Sequence, residues 1–281
     1  MGKLSTKLRR DPQTSVRHRI NAGRVAVQQQ VDFFRRQFGV VASDWKADET
    51  RVTFADFAIS EKLFAELRGT FPQDDFCSEE SSPEDELLAL EAEFCWVLDP
   101  IDGTNNYFFG VPMCAISLAL LRRGEPIYGF VYDLARGKLV EGGPEFGVID
   151  GSTKASAKTS PLDKHSILAL HFPMKPAETT ALREWLENYR VRSFGSSTLA
   201  LTYTALGKLD GCLDTRVKVW DIAAAYALIK GAGGDFHWFD EPAFPMTDFK
   251  VDQPKLRFAA GSTAFVEAAA KLDIGRKKEK D

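Results

Sequence analysis

The chain has 281 residues, 44% hydrophobic and 27% charged, a balance that suits one large soluble domain or two closely packed halves. A net charge of -4 argues against nucleic acid or an anionic membrane as partner, since both demand a strongly basic surface. The basic residues of Met1 to Arg10 have no apolar run behind them, so neither a signal peptide nor a membrane span is expected, and the reading places the chain in the cytoplasm. Cys77, Cys95, Cys114 and Cys212 form no C-x-x-C pair and have no histidine at zinc spacing. Buried free thiols are the expectation.

Residues 1–14 are polar and read as a disordered N-terminus. From Ser15 to Phe38, Val16, Ile20, Val27, Val31, Phe34 and Phe38 recur at helical spacing, and Gly39 ends the run. A charged, turn-like stretch from Asp44 to Thr50 follows and includes Lys46. A second helix is predicted from Ala55 to Arg68, with Ile59, Leu63, Phe64 and Leu67 on one side. Thr53 and Asp56 have the spacing of a capping box at its start. Glu79 and Glu80 lie next to each other on a short loop, a pattern that alone describes solvated surface. Pro83 to Glu93 reads as a short acidic surface helix.

Phe94 to Leu98 is an apolar run that predicts a buried strand, and it gives way to Asp99-Pro100-Ile101-Asp102-Gly103-Thr104. Pro100 fixes one φ and removes a donor, which predicts a turn there. Gly103 lets a ligand approach the backbone, and Thr104 has the hydroxyl of a helix cap. A helix N-terminus offers free N–H groups to an anion such as phosphate. Two carboxylates three residues apart beside such a site suit hard cations and phosphate ester hydrolysis.

Strands are next predicted over Cys114–Leu121, Ile127–Tyr132 and Lys138–Glu141, an antiparallel meander. Residues 151–164, rich in Ser, Thr and Lys with Pro161, mark a boundary between an amino-terminal α+β half, 15–152, and a carboxyl-terminal α/β half, 153–274. The second half reads as a strand over Ser166–His171, a helix over Ala177–Asn188, then Phe194-Gly195-Ser196-Ser197-Thr198 leading into a helix to Leu206. A strand over Leu209–Leu213 and a helix headed by Val219-Trp220-Asp221 follow, the latter ending at Gly231-Ala232-Gly233-Gly234. Strands over Asp235–Phe239 and Leu256–Ala260 and a helix over Ser262–Leu272 complete it, before a basic tail, 275–281. The four histidines, His18, His165, His171 and His237, stand at no ligand spacing and are assigned structural or solvated roles.

Asp99-Pro100-Ile101-Asp102-Gly103-Thr104-Asn105-Asn106-Tyr107 resembles the D-P-I-D-G-T-x-N-F/Y signature of the inositol monophosphatase family, metal-dependent, lithium-sensitive sugar phosphatases. Val52-Thr53-Phe54-Ala55-Asp56, the Glu79-Glu80 pair about 20 residues before that signature, and Trp220-Asp221-Ile222-Ala223-Ala224 match further family elements. Ser78, Ser197, Asp214 and Gly231 depart from the family's usual residues. The resemblance implies an αβαβα sandwich, usually a homodimer, with the site between its halves. It implies that Glu79, Asp99 and the Ile101 carbonyl hold one Mg²⁺, and Asp99, Asp102 and Asp221 a second. A third, weaker ion would face Glu79, which with Thr104 orients the attacking water. Gly103 and Thr104 would cradle the phosphate, and Gly195, Ser196, Ser197 and Asp214 would line the substrate side. Lys46, Asp56 and Glu80 would stand just behind the metals.

The expected activity is hydrolysis of a small polyol or sugar monophosphate by metal-activated water. Inositol monophosphate is the first choice, and histidinol phosphate or another sugar or nucleotide phosphate the second. A catalytically silent binding protein of the same fold is the reading from a different class. A nucleotide-binding α/β protein is excluded, because no Gly-rich phosphate loop follows a strand.

Overall fold

The strand Phe94–Asp102 sends alternate side chains into two different cores, and the layers follow from that. In the computed structural model, which describes residues 12–46, 51–80 and 87–274, Phe94, Trp96 and Leu98 pack to one side and Cys95 and Val97 to the other. Every residue of this strand is buried, and as far as Leu98 its sequence is a continuous apolar run instead of an alternation.

It belongs to a seven-stranded sheet ordered Thr153–Ala155, Gly147–Asp150, Lys138–Gly143, Glu125–Asp133, Ala115–Arg122, Phe94–Asp102, Asp75–Ser78. The neighbours are antiparallel except for the last pair, which is parallel. Helices Pro12–Gln37 and Phe54–Thr70 cover the outer face through Val27, Phe34, Ile59 and Leu63.

Helices Ser197–Ala205 and Val219–Gly231 lie on the opposite face, between this sheet and a second one. The second sheet has five strands, ordered Arg190–Arg192, Ile167–Leu170, Gly211–Val217, Leu256–Gly261, Asp235–Trp238. Val131, Leu199, Ala224, Cys212 and Ala260 share one core, which ties both sheets to both helices. Helices Pro176–Ala181, Arg183–Asn188 and Thr263–Ala269 close the far side around Trp185, Leu213 and Phe265. The result is the expected αβαβα sandwich. The central helix is apolar nearly all round, as a helix between two sheets must be. It seats so closely that a Cβ on Gly129 would lie 2.1 Å from the Ala224 carbonyl oxygen.

Several local expectations are revised. The turn at Pro100 is a bulge: the strand runs on to Asp102, and its register against Ala115–Arg122 slips between Asp99 and Asp102. A bulge is where a strand tolerates proline. The first helix starts at Pro12, a good first-turn residue, so it takes in part of the stretch expected to be disordered. Residues 1–11 and 275–281 lie outside the described residues. Of the acidic segment expected as a helix, 83–86 are likewise outside. Leu88–Ala89 pairs with Asp248–Phe249, a partner that local periodicity cannot reveal. The helix expected over Ala177–Asn188 is two short helices broken at Leu182, whose side chain is buried. The hairpin of Gly147–Asp150 and Thr153–Ala155 spans the 152/153 boundary, so the first sheet takes its edge strand from the second half. All four cysteines are free and buried, as expected.

Candidate metal centre and substrate pocket

In a regular strand, residues three apart point to opposite faces. The extra residue of the bulge corrects this parity, and Asp99 and Asp102 come to the same side. Asp221, in the first turn of Val219–Gly231, meets them there: carboxylate oxygens of the three lie within 4.8 Å of one another. Asp99 Oδ1 accepts from the Ile101 N–H at 3.1 Å. Asp102 Oδ2 accepts from the Thr198 N–H at 3.0 Å and from the Ser196 hydroxyl. Asp221 Oδ2 accepts from the Lys218 N–H at 2.7 Å, so it also caps its own helix.

Burial pushes the Asp99 carboxyl well above its usual range, and repulsion from Glu79, Asp102 and Asp221 adds to this. Asp221 is raised the same way, by burial and then by Asp102 and Glu79. Asp102 is raised to about 6 by burial, against the opposing hydrogen bonds from Ser196 and Thr198. Buried acids that repel one another at this range are costly unless a cation joins them. An all-oxygen carboxylate set is the donor chemistry of a hard divalent ion, so these residues fit Mg²⁺.

Glu79 stands beside this trio, delivered by Asp75–Ser78 and tied to the central strand by its N–H to the Leu98 carbonyl, 3.1 Å. Its carboxylate accepts from Lys46 Nζ at 2.8 Å, and the same ammonium donates to Glu80 at 2.6 Å. Burial alone would lower the Lys46 pKa, but Glu79 and Glu80 outweigh it and the group is raised. Lys46 is thus brought from its own loop to the Glu79-Glu80 pair.

Asp56 does two things. Its Oδ2 accepts from the Thr53 N–H and hydroxyl at 2.8 and 2.6 Å, completing the capping box. Its Oδ1 lies 3.5 Å from the Thr104 hydroxyl. Burial lifts its carboxyl to about 7, with the Thr53 hydrogen bond opposing and Glu80 and Glu79 reinforcing. Thr104 is not a cap: its hydroxyl donates to the Ile101 carbonyl at 2.9 Å, and Gly103 takes the N-cap position at φ 85°. A Cβ on Gly103 would sit 2.8 Å from the Met113 carbonyl oxygen, so both conformation and space require glycine.

The substrate side is fastened to the metal corner through Asn106, whose amide donates to the Met113 and Phe194 carbonyls at 2.8 and 2.7 Å. Ser196 caps Ser197–Ala205 by accepting from the Leu199 N–H at 3.1 Å while donating to Asp102. Ser197 donates to Asp214 Oδ2 at 2.8 Å. Gly195, Ser196, Ser197 and Asp214 line a pocket of about 70 Å³, and so do His171 and Phe172. His171, assigned a structural or solvated role from the sequence, lies in this lining as well. Only the parallel register Leu170↔Leu213 brings it beside Asp214, and no local spacing encodes that pairing.

The inositol monophosphatase family profile matches residues 11–273. The chain belongs to the inositol monophosphatase family. Its members are phosphatases, which makes this chain a phosphoric monoester hydrolase of a metal-dependent type. The chain is 32% identical to the inositol-1-monophosphatase of Mesorhizobium japonicum over 211 residues, 71% of this chain and 77% of that one. It is 31% identical to the Nus factor SuhB of Escherichia coli K12 over 201 residues, 69% and 74% of the two chains. In fold, it superposes with a TM-score of 0.78 on an IMPase/NADP phosphatase complexed with Mg²⁺ and phosphate, at 20% identity over 94% of this chain and 97% of that chain. Among the described residues, no helix is long and apolar enough to cross a membrane.

Proposed function

We propose that this inositol monophosphatase family member hydrolyses the phosphate monoester of a small polyol or sugar, with inositol monophosphate as the first substrate and histidinol phosphate as the second. The observation that carries the reading is the meeting of Asp99, Asp102 and Asp221 beside Glu79 and a glycine-led helix start. Asp99, Asp102, Asp221, Glu79 and the Ile101 carbonyl would hold two Mg²⁺ ions, with a weaker third near Glu79. Bound Mg²⁺ supplies Lewis-acid stabilisation of the phosphoryl group and acidifies water.

The remaining work falls to the chain's own groups. The N–H groups of Gly103 and Thr104 receive phosphate oxygens. The Thr104 hydroxyl, which gives its proton to the Ile101 carbonyl and keeps its lone pairs for a donor, and the Glu79 carboxylate orient the attacking water. Lys46 holds Glu79 and Glu80 as a fixed pair. Asp214, Ser197, Ser196 and Gly195 receive the leaving alcohol. No cysteine or histidine nucleophile is needed. In the cell the reading is of a cytoplasmic homodimer, which light scattering of the purified chain tests.

Steady-state hydrolysis of inositol 1-phosphate, histidinol phosphate, fructose 1,6-bisphosphate and 3′-phosphoadenosine 5′-phosphate, with Mg²⁺ and with chelator, tests the function. Release of phosphate from inositol 1-phosphate fastest, and only with Mg²⁺, is expected. Turnover of histidinol phosphate far above the others would replace the first substrate with the second. Equal rates with chelator would overturn the metal assignment.

A further inference from the structure

His171 directly follows the strand Ile167–Leu170 and stands against three groups from two other elements, Asp214 and Thr215 of Gly211–Val217 and Glu178 of Pro176–Ala181. Thr215 donates its single hydroxyl proton to Glu178 Oε1 at 2.7 Å. Against the effect of burial, the hydrogen bonds from Thr215 and the Lys175 N–H hold the Glu178 carboxyl below its usual range, so it is an acceptor only. The Thr215 oxygen, 3.3 Å from His171 Nε2, therefore accepts from that nitrogen. This fixes one end of the ring: Nε2 carries a proton, and Nδ1 faces Asp214 Oδ1 at 3.4 Å, where a proton on Nδ1 gives the carboxylate a donor.

Nδ1 is shielded from solvent and makes no aligned hydrogen bond. A buried ring nitrogen held against a carboxylate without a completed bond is not what stability alone selects. Asp214 meanwhile accepts from Ser197 at Oδ2, 2.8 Å, and from the Arg216 N–H at Oδ1, 2.9 Å. A carboxylate has about four lone-pair sites, so capacity remains on the pocket side for one more donor.

We propose that His171, clamped by Thr215 and Glu178, is a positioning residue that sets the Asp214 carboxylate to receive a hydroxyl or ammonium donor of the leaving group, and so selects donor-bearing leaving groups. The inference rests on the phosphatase reading of the site. Selection arises because a leaving group without a donor leaves the buried carboxylate unmatched when the pocket closes on it.

The test uses the full chain with Mg²⁺ and measures kcat and KM for inositol 1-phosphate, glycerol 2-phosphate, histidinol phosphate and phenyl phosphate, whose leaving group carries no second donor. For the best donor-bearing substrate, His171→Leu is expected to raise KM about tenfold with kcat within about twofold. Phenyl phosphate constants should stay within about twofold of the parent, and His171→Asn, whose amide N–H can face Asp214 as a donor, should recover most of the lost KM. Thr215→Val, which removes the clamp and leaves the ring, should shift KM in the same substrate-selective way, and it carries the test if His171→Leu does not fold. Equal losses on phenyl phosphate, no loss on the donor-bearing substrates, or a parent enzyme that prefers phenyl phosphate would overturn the proposal. A parent that hydrolyses none of the four with Mg²⁺ would instead remove the phosphatase reading, and the proposal with it.

Discussion

The proposed metal corner takes Asp99 and Asp102 from one strand and Asp221 from one helix start, whereas the proposed leaving-group wall takes His171, Asp214 and, behind them, Glu178 from separate elements. In the corner, each acid is set by a local device: a bulge for the first two and a cap for the third. In the wall, the register of two parallel strands brings His171 beside Asp214, and Glu178, although it caps its own helix locally, reaches them only because that short helix packs over the strands. In the proposed function the corner determines the reaction and tolerates little change. The wall can then vary while the chemistry stays the same, which makes it the proposed place where members of one family differ in substrate.

The sharpest way to break this contrast is to substitute each region in turn. Asp99→Asn should lower kcat on every substrate by on the order of 10³-fold with an unchanged fold, measured by steady-state rates and circular dichroism. Asp214→Ala should weaken donor-bearing substrates about tenfold and leave phenyl phosphate nearly untouched. A uniform loss from Asp214→Ala would erase the distinction between the regions.

Asp56 tests how far the corner extends. Losing the cap with Asp56→Ala should cost about 1 kcal/mol in urea unfolding. Losing its support of Thr104 should lower kcat about tenfold as well. A stability loss with full kcat would reduce Asp56 to a cap.

The smallest expected effect is on pH dependence without metal. A carboxyl whose pKa is raised in the folded state binds its proton more tightly there than in the unfolded chain. Its contribution favours folding most below the unfolded value and is lost as pH climbs through the folded one. Asp102 rises from 3.8 to about 6, and Asp99 and Asp221 are raised in the same direction. With chelator, the melting temperature should therefore drop by a few degrees between about pH 4 and pH 7, and Mg²⁺ should restore it. A flat profile would mean that the three acids are not mutually strained.

How much of this was legible beforehand follows the same division. The layered fold could be read because buried strands and amphipathic helices leave local periodicities, and the metal acids because a long local signature carries them. Pro100 pointed to a turn where the chain makes a bulge, since a proline forbids a regular ladder without saying which irregularity replaces it. Thr104 looked like a cap, but Gly103, free to adopt a positive φ, took that place and released the hydroxyl to the Ile101 carbonyl. Asp56 was ambiguous in the sequence because it caps its helix and also lies beside Thr104. His171 left no local trace, because its meaning depends on Leu170 pairing with Leu213.

The most direct test of the account is calorimetric titration of Mg²⁺ into the parent chain and into Asp102→Asn. The account predicts binding to the parent and at least about tenfold weaker binding to a variant that remains folded. Equal Mg²⁺ affinity in the two proteins would contradict it.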